Sequence, residues 1–258
     1  MQVSVIIVGW NVKELLARCL QSIFATTNAA FEIIVIDNAS IDGTVAMVHD
    51  QFPSVRLIVN SKNNGFAKAV NQGLATATGE YCFILNPDTI LPKGTLAALV
   101  GYAAAHSDVS AVAPQILLSN GRPQLHSFRK NPTIASQLLI LSKLDHIFPQ
   151  AKSLQRYYWA DFDATKEQDV PQAMGAAIFI RTAIFRELGG FDERFFIWFE
   201  DVDLCYRLQQ KKYRLRYVPD IQVIHAGGQS FKKKNVLIKQ WWFVRSAVQY
   251  FLKHHGTH

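Results

Sequence analysis

Apolar residues in the first ninety positions fall into short, β-branched runs separated by longer stretches with helical spacing. The runs are Val3–Val8, Glu32–Ile36, Val55–Val59 and Tyr81–Leu85, and Val12–Phe24 and Phe66–Ala77 have the helical pattern. Asp42 is placed to cap a further helical segment after the second run. This alternation predicts a mostly parallel, doubly wound α/β sheet. Ligands bind such sheets at the carboxyl ends of the strands, where the polar clusters Asp37-Asn38, Asn60–Asn64 and Asn86-Pro87-Asp88 fall.

Beyond about Ser110 the rhythm loosens. A strand-like Ala111–Ala113 leads into an aperiodic stretch, Gln115–Gln172, with Pro123, Pro132 and Pro149 and the aromatic cluster Tyr157-Tyr158-Trp159. A buried strand at Ala176–Ile180 follows, then a helix beginning near Glu200, strand-like Leu215–Val218 and Ile221–Ile224, and an apolar helix over Val236–Leu252. No Gly/Ser linker interrupts the chain, so one domain with an inserted segment is expected.

Composition narrows the class. With 49% hydrophobic and 18% charged residues among 258, the chain has enough apolar material for a sizeable core. The formal charge of +7 is unevenly placed: residues 1–204 carry 16 Lys and Arg against 19 Asp and Glu, whereas residues 205–258 carry 11 against one. A basic tail on a slightly acidic body points to a local anionic partner, such as phosphate or lipid headgroups, and away from nucleic acid. Cys19, Cys82 and Cys205 are far apart, which indicates neither a zinc ribbon nor a disulfide framework. With no signal-peptide pattern and no transmembrane-length apolar run, a cytoplasmic protein is expected, peripheral on the inner face of the membrane if a membrane is involved.

Glycine patterns exclude two chemistries. Gly9-Trp10-Asn11 follows the first strand without a GxGxxG or GxxxxGK[ST] motif, so dinucleotide and P-loop sites lack their main support. A divalent metal on a carboxylate is the usual substitute for a phosphate-binding glycine loop, and Asp88 at the end of the fourth run is the candidate. The same residues also read as a turn, because Asn, Pro and Asp favour turns.

In this order along the chain, Val5-Ile6-Ile7-Val8, Ile36-Asp37-Asn38-Ala39-Ser40, Asn63-Asn64-Gly65-Phe66-Ala67 with Asn71, and Leu85-Asn86-Pro87-Asp88-Thr89 are followed by Gly189-Gly190-Phe191-Asp192-Glu193, Glu200-Asp201-Val202-Asp203-Leu204, and His225 with Gly228 and Ser230. The set resembles the family 2 glycosyltransferases with a GT-A nucleotide-diphospho-sugar transferase fold, in particular a rhamnosyltransferase-like branch from bacterial cell-surface polysaccharide synthesis. The resemblance implies a nucleotide-sugar half over 1–114, an acceptor and catalytic half over 115–230, and a basic, aromatic C-terminal helix over 231–258.

It further implies an inverting transfer from a nucleotide-diphospho-sugar, first of all dTDP-L-rhamnose, to a hydroxyl of a saccharide or lipid-linked saccharide. A UDP-sugar donor and a non-catalytic sugar-nucleotide-binding scaffold are the alternatives. Carried over residue by residue, Asp37, Asn38, Asn64, Gly65, Asn71, Asn86 and Asp88 bind the donor. Asp88 and His225 hold Mg²⁺ or Mn²⁺, although Asn86 replaces the first acid of the commoner DxD form. Asp201 is the catalytic base with Glu200 beside it, and Gly175, Ala176 and Trp198 shape the acceptor side. Residue chemistry leaves other readings open: His225 as a structural strand-end histidine, Trp198 as a core aromatic, and the acids after Phe199 as residues that favour a helix N-terminus. The Lys232–Lys234 run could meet diphosphate or be a solvated loop. With its aromatics, the last helix could be core or lie against anionic lipid.

Overall fold

The computed structural model describes residues 2–25, 30–124, 126–225 and 236–255. Gly228, Ser230 and Lys232–Lys234 lie outside the described residues. The strands are β1 (Val3–Gly9), β2 (Phe31–Asp37), β3 (Arg56–Val59), β4 (Tyr81–Leu85), β5 (Thr89–Ile90), β6 (Val109–Leu117), β7 (Phe128–Arg129), β8 (Gln168–Asp169), β9 (Gln172–Ala173), β10 (Ala177–Arg181) and β11 (Arg214–His225).

All seven residues of β1 are buried, which explains its near-continuous apolar run: a central parallel strand is covered on both faces. Val3, Val5 and Ile7 face one core with Leu16 and Leu20 of the helix Lys13–Ala25. Ile6 and Val8 face the other with Ala67 and Val70 of the helix Phe66–Thr76. The nine-stranded sheet runs β3-β2-β1-β4-β10-β6-β11-β5, with β8 on β11, while β7 and β9 form a separate pair. Strands β3, β2, β1 and β4 are mutually parallel, as are β6 and β11, so most of the central sheet is parallel.

Strand β10 starts one residue later than the pattern predicts and lies antiparallel between β4 and β6. The predicted strands Leu215–Val218 and Ile221–Ile224 are one strand, β11, whose pairing with β6 shifts register between Val218 and Gln222. Pro219 lies at the shift, where a missing N–H costs no ladder bond. Asp42 differs from expectation as well: Gly43 occupies the N-cap position of the helix Thr44–Gln51. The Asp42 carboxylate accepts from the Thr44 N–H at 3.1 Å and, through its other oxygen, from the Lys13 N–H at 2.9 Å. It thus joins the starts of two helices.

The helix Val236–His255 packs on the helix Glu200–Gln210 through Phe195, Phe199, Val202, Ala247 and Tyr250. No helix among the described residues is long and apolar enough to cross a membrane.

Candidate active site

The parallel strands deliver their carboxyl ends to one edge, with the Asn38 N–H on the Gly9 carbonyl and the Asn60 N–H on the Asp37 carbonyl. A cavity of about 370 Å³ opens there. Its lining includes Gly9, Trp10, Asn38, Asn63 and Gly65 from the first strand ends, Asp88 and His225, and Gly175 and Asp201.

Asn38 organises the wall at the first strand ends. Its amide nitrogen donates to the Gly65 carbonyl at 3.1 Å, and its Oδ1 accepts from Asn60 Nδ2 at 2.9 Å and from the Asn64 N–H at 3.5 Å. Asp37 lies fully buried behind it, with Oδ2 accepting from the Ser40 N–H at 2.8 Å and Oδ1 without a hydrogen-bond partner among the described residues. Gly65 has φ 85° and ψ 171°, a region almost reserved for glycine, and a Cβ there would sit 2.6 Å from the Phe196 carbonyl oxygen. That carbonyl accepts from the Phe66 N–H at 2.8 Å, tying the loop to Phe196.

Three sequence-predicted donor residues are placed differently: Asp37 is buried behind the wall and does not line the cavity, and Asn64 and Asn71 are also off it. Asn63, not Asn64, lines the cavity, and Asn63 Oδ1 accepts from the Gly65 N–H at 2.9 Å. Asn71 is a clip between distant segments: Nδ2 donates to the Phe191 carbonyl at 2.8 Å, and Oδ1 accepts from the Phe191 N–H at 2.9 Å. Its amide is used there, away from the cavity wall.

Asn86-Pro87-Asp88-Thr89 is both a turn and part of the site. The Asn86 carbonyl accepts from the Thr89 hydroxyl at 2.7 Å, and the Asn86 N–H donates to the Ala176 carbonyl at 2.9 Å. Asp88, 6% exposed, places Oδ1 3.2 Å from Nε2 of His225, itself 4% exposed. His225 Nδ1 meets Gln124 Oε1 at 2.8 Å; this oxygen can only accept, so Nδ1 donates there while Nε2 faces the Asp88 carboxylate. Nε2 makes no hydrogen bond among the described residues. A carboxylate oxygen and a buried imidazole nitrogen facing one another are ligand types that fit a divalent ion completed by ligand oxygens and water. No cluster of three or more His, Cys, Asp or Glu with metal-binding geometry occurs among the described residues, so such a site has few protein ligands.

Elsewhere on the cavity lining, Trp198 and Phe199 have φ 61° and 67°, uncommon for large side chains, immediately before the helix Glu200–Gln210. This turn brings the first helical residues to the cavity. Asp201 Oδ2 accepts from the Gly175 N–H at 2.8 Å and Oδ1 from the Val202 N–H at 2.8 Å. Burial raises the Asp201 pKa; the Gly175 N–H and the Arg129 guanidinium oppose that rise. Burial, then the Asp201 charge, pushes the Glu200 carboxyl well above the usual range, and its Oε2 has no hydrogen-bond partner among the described residues. Protons are therefore held chiefly by Glu200, and Asp201, with two N–H donors and a nearby cation, is the ionised member. Trp198 is half-buried on the cavity wall, edge-on to Phe243 at 6.0 Å between ring centroids. Ala176, buried, also lines the cavity.

Several lining residues escaped the sequence reading. Arg129 donates to the Tyr157 hydroxyl at 3.1 Å and to the His126 carbonyl at 2.8 Å. Both Arg129 and Tyr157 come from the aperiodic excursion, where neither spacing nor a motif singles out a side chain. Trp242 and Phe243 reach the cavity from the last helix, whose aromatic content was the available signal.

Residues 4–189 match glycosyl transferase family 2, and residues 156–244 match glycosyl transferase family group 2. The chain is 28% identical over 226 residues to the N-acetylglucosaminyl-diphospho-decaprenol L-rhamnosyltransferase of Mycobacterium tuberculosis, covering 83% of this chain and 73% of that one. It is 27% identical over 197 residues to rhamnosyltransferase WbbL of Escherichia coli, covering 74% and 69%. Its fold is similar to that of the mannosyltransferase PcManGT from Pyrobaculum calidifontis in complex with GDP-Man and Mn²⁺: TM-score 0.65, 23% identity, all of this chain and 65% of that one. The GT-A architecture is thus present, and the chain spans about two thirds of that neighbour's length.

Proposed function

Because the chain belongs to glycosyl transferase family 2, a family of sugar-transferring enzymes, we propose that it moves L-rhamnose from dTDP-L-rhamnose to a hydroxyl of a lipid-linked saccharide with inversion at the anomeric carbon. The sugar follows the names of the rhamnosyltransferase relatives and the lipid-linked acceptor that of the Mycobacterium tuberculosis one, while the dTDP carrier follows the family resemblance. The observation that carries the catalytic part is the Asp201 carboxylate, fixed by two backbone N–H groups in the cavity that Asn38 and Gly65 also line.

In this reading the nucleotide lies against Asn38 and Gly65, while Asp37, fully buried behind that wall, holds the loop through the Ser40 N–H. Asp88 and His225 would hold Mg²⁺ or Mn²⁺, which when bound supplies positive charge for a departing diphosphate. Asp201 removes the proton from the acceptor hydroxyl as that oxygen attacks from the face opposite the leaving group. One displacement needs one base, which fits an ionised Asp201 beside a protonated Glu200. Gly175 leaves room for the acceptor next to the base, and Trp198 offers a ring face to a sugar.

The test is donor consumption with Mn²⁺ across dTDP-L-rhamnose, UDP-sugars and GDP-mannose, with a polyprenyl-diphosphate-linked N-acetylglucosamine as acceptor. Wild type should release dTDP and form a product of inverted anomeric configuration, and Asp201→Asn should not. Consumption of a UDP-sugar instead would reassign the donor. If wild type consumes no donor, the non-catalytic reading replaces this one.

A further inference from the structure

Large hydrophobic side chains left exposed are unevenly distributed. Of the thirteen among the described residues, ten lie in two short segments: Ile134, Leu138, Leu144, Ile147 and Phe148 in one, and Ile238, Trp241, Val244, Val248 and Leu252 in the other. The helix Ile134–Leu141, which carries Ile134 and Leu138 and is followed by Leu144, Ile147 and Phe148, packs against the helix Val236–His255. Scattered exposed apolar residues are ordinary, but ten on adjoining elements form a patch that indicates an interaction surface.

The C-terminal helix shows that this is not simply a poorly covered core. Its Ser246, Ala247 and Tyr250 are buried, the last two against the Phe195–Val202 region, so one stripe is fully used in folding. Trp241, Val244, Val248 and Leu252 form a second stripe at helical spacing on the exposed side, 57%, 41%, 52% and 71% exposed.

Charge decides the partner. The helix Val236–His255 has no Asp or Glu and carries Lys239 and Arg245 besides Lys253, which is paired with Asp192 and Asp203; residues 130–156 have four Lys or Arg against Asp145 alone. Arg245 lies over the Trp241 ring at 5.5 Å, and Arg194 shares the groove with both. Aromatic and aliphatic side chains interleaved with cations suit the headgroup boundary of an anionic bilayer. A second copy would instead set like charges against one another.

We propose that the exposed face of Ile134–Phe148 and Val236–His255 docks the protein on an anionic phospholipid bilayer. Trp242 and Phe243 of the same helix line the catalytic cavity, so docking brings the cavity wall to the bilayer surface. The proposal rests on the transferase reading only for its purpose, access to a lipid-linked acceptor; the binding itself is measurable without turnover.

The experiment is co-sedimentation of the full chain with phosphatidylcholine vesicles, with and without phosphatidylglycerol. Wild type should sediment with the anionic vesicles only and be released by salt. The pairs Val248→Glu with Leu252→Glu, and Ile147→Asp with Phe148→Asp, should abolish binding, and Arg245→Gln should weaken it about fivefold. Circular dichroism and the donor-induced thermal shift should be unchanged in these variants, showing that they fold. Wild type remaining in the supernatant, or variants binding as wild type does, overturns the proposal. So does a wild-type dimer by light scattering that the same pairs dissociate. Vesicle binding without any donor-induced shift would count against the transferase reading alone, and a donor shift without vesicle binding against the docking face alone.

Discussion

The Gly175 N–H donates to Asp201 Oδ2 at 2.8 Å, and a Cβ on residue 175 would lie 3.2 Å from Asp201 Cβ and 3.3 Å from Oδ2. The glycine therefore both orients the carboxylate and leaves it room. Gly175→Ala should turn the base from its line of attack and lower kcat about 10²-fold, with little change in donor KM. Steady-state kinetics check the split; an equal rise in donor KM would place residue 175 on the donor side instead.

Burial raises the proton affinity of both Glu200 and Asp201, and this has a signed consequence for stability. A folded-state pKa above the unfolded value contributes stability that is fully present below the unfolded carboxylate pKa and is lost as pH rises through the folded one. Glu200→Gln removes that loss. The variant should gain on wild type as pH rises from the acid range toward neutrality, read as a widening difference in Tm across a pH series. Transfer needs ionised Asp201, so the acid limb of kcat/KM in wild type should lie above the ordinary carboxylate range.

Legibility followed how local each signal is. The buried strand β1 shows as a continuous apolar run, and Asp37 ends β2 while Asp88 follows β4, strands whose parallel order places their ends together. Carboxamides were harder to assign, because their use depends on partners distant in sequence: Asn71 meets Phe191, and Asn38 meets Gly65. Asp42 reaches back to Lys13, a contact invisible to a local capping rule. Arg129 enters from a segment without periodicity, so its place beside Asp201 depends on tertiary packing alone.

Gly65→Ala tests how the donor wall is built. Its φ of 85° with ψ 171° strains any other residue by about 1–3 kcal/mol, and the added Cβ would meet the Phe196 carbonyl oxygen at 2.6 Å. Chemical denaturation should report that loss. Donor affinity should fall as well, because the Phe66 N–H bond to Phe196 holds this wall in place.

Asp88 and His225 predict a linked response to metal and donor. In wild type, Mn²⁺ should enlarge the thermal stabilisation by a nucleoside diphosphate, since a ligand that binds only the native state stabilises by mass action. Asp88→Asn and His225→Ala should each remove the Mn²⁺-dependent part and keep any metal-free part. Gln124→Leu should weaken it partially, because His225 Nδ1 loses the acceptor that fixes its tautomer.

Lys253 should control how firmly the last helix is docked. Its ammonium donates to Asp192 Oδ2 at 2.7 Å and to Asp203 Oδ1 at 2.5 Å, and fully buried Asp203 also accepts from Arg207 at 2.7 Å. Burial works against ionised Asp192, yet the bonds from Arg194 and Lys253 hold its carboxyl below the usual range. A depressed folded-state pKa contributes stability that is present above the unfolded value and is lost as pH falls through the folded one. Lys253→Met should therefore cost stability at neutral pH, by roughly 1–3 kcal/mol as charged hydrogen bonds are lost, and the deficit should shrink in strong acid. Trp242 and Phe243 ride on the same helix into the cavity, so the loosened variant should also bind donor more weakly while Asp201 keeps its two N–H partners. Urea titrations at neutral and acid pH, paired with donor binding, read both effects; an unchanged neutral-pH stability would mean that the aromatic packing around Tyr250 docks the helix unaided.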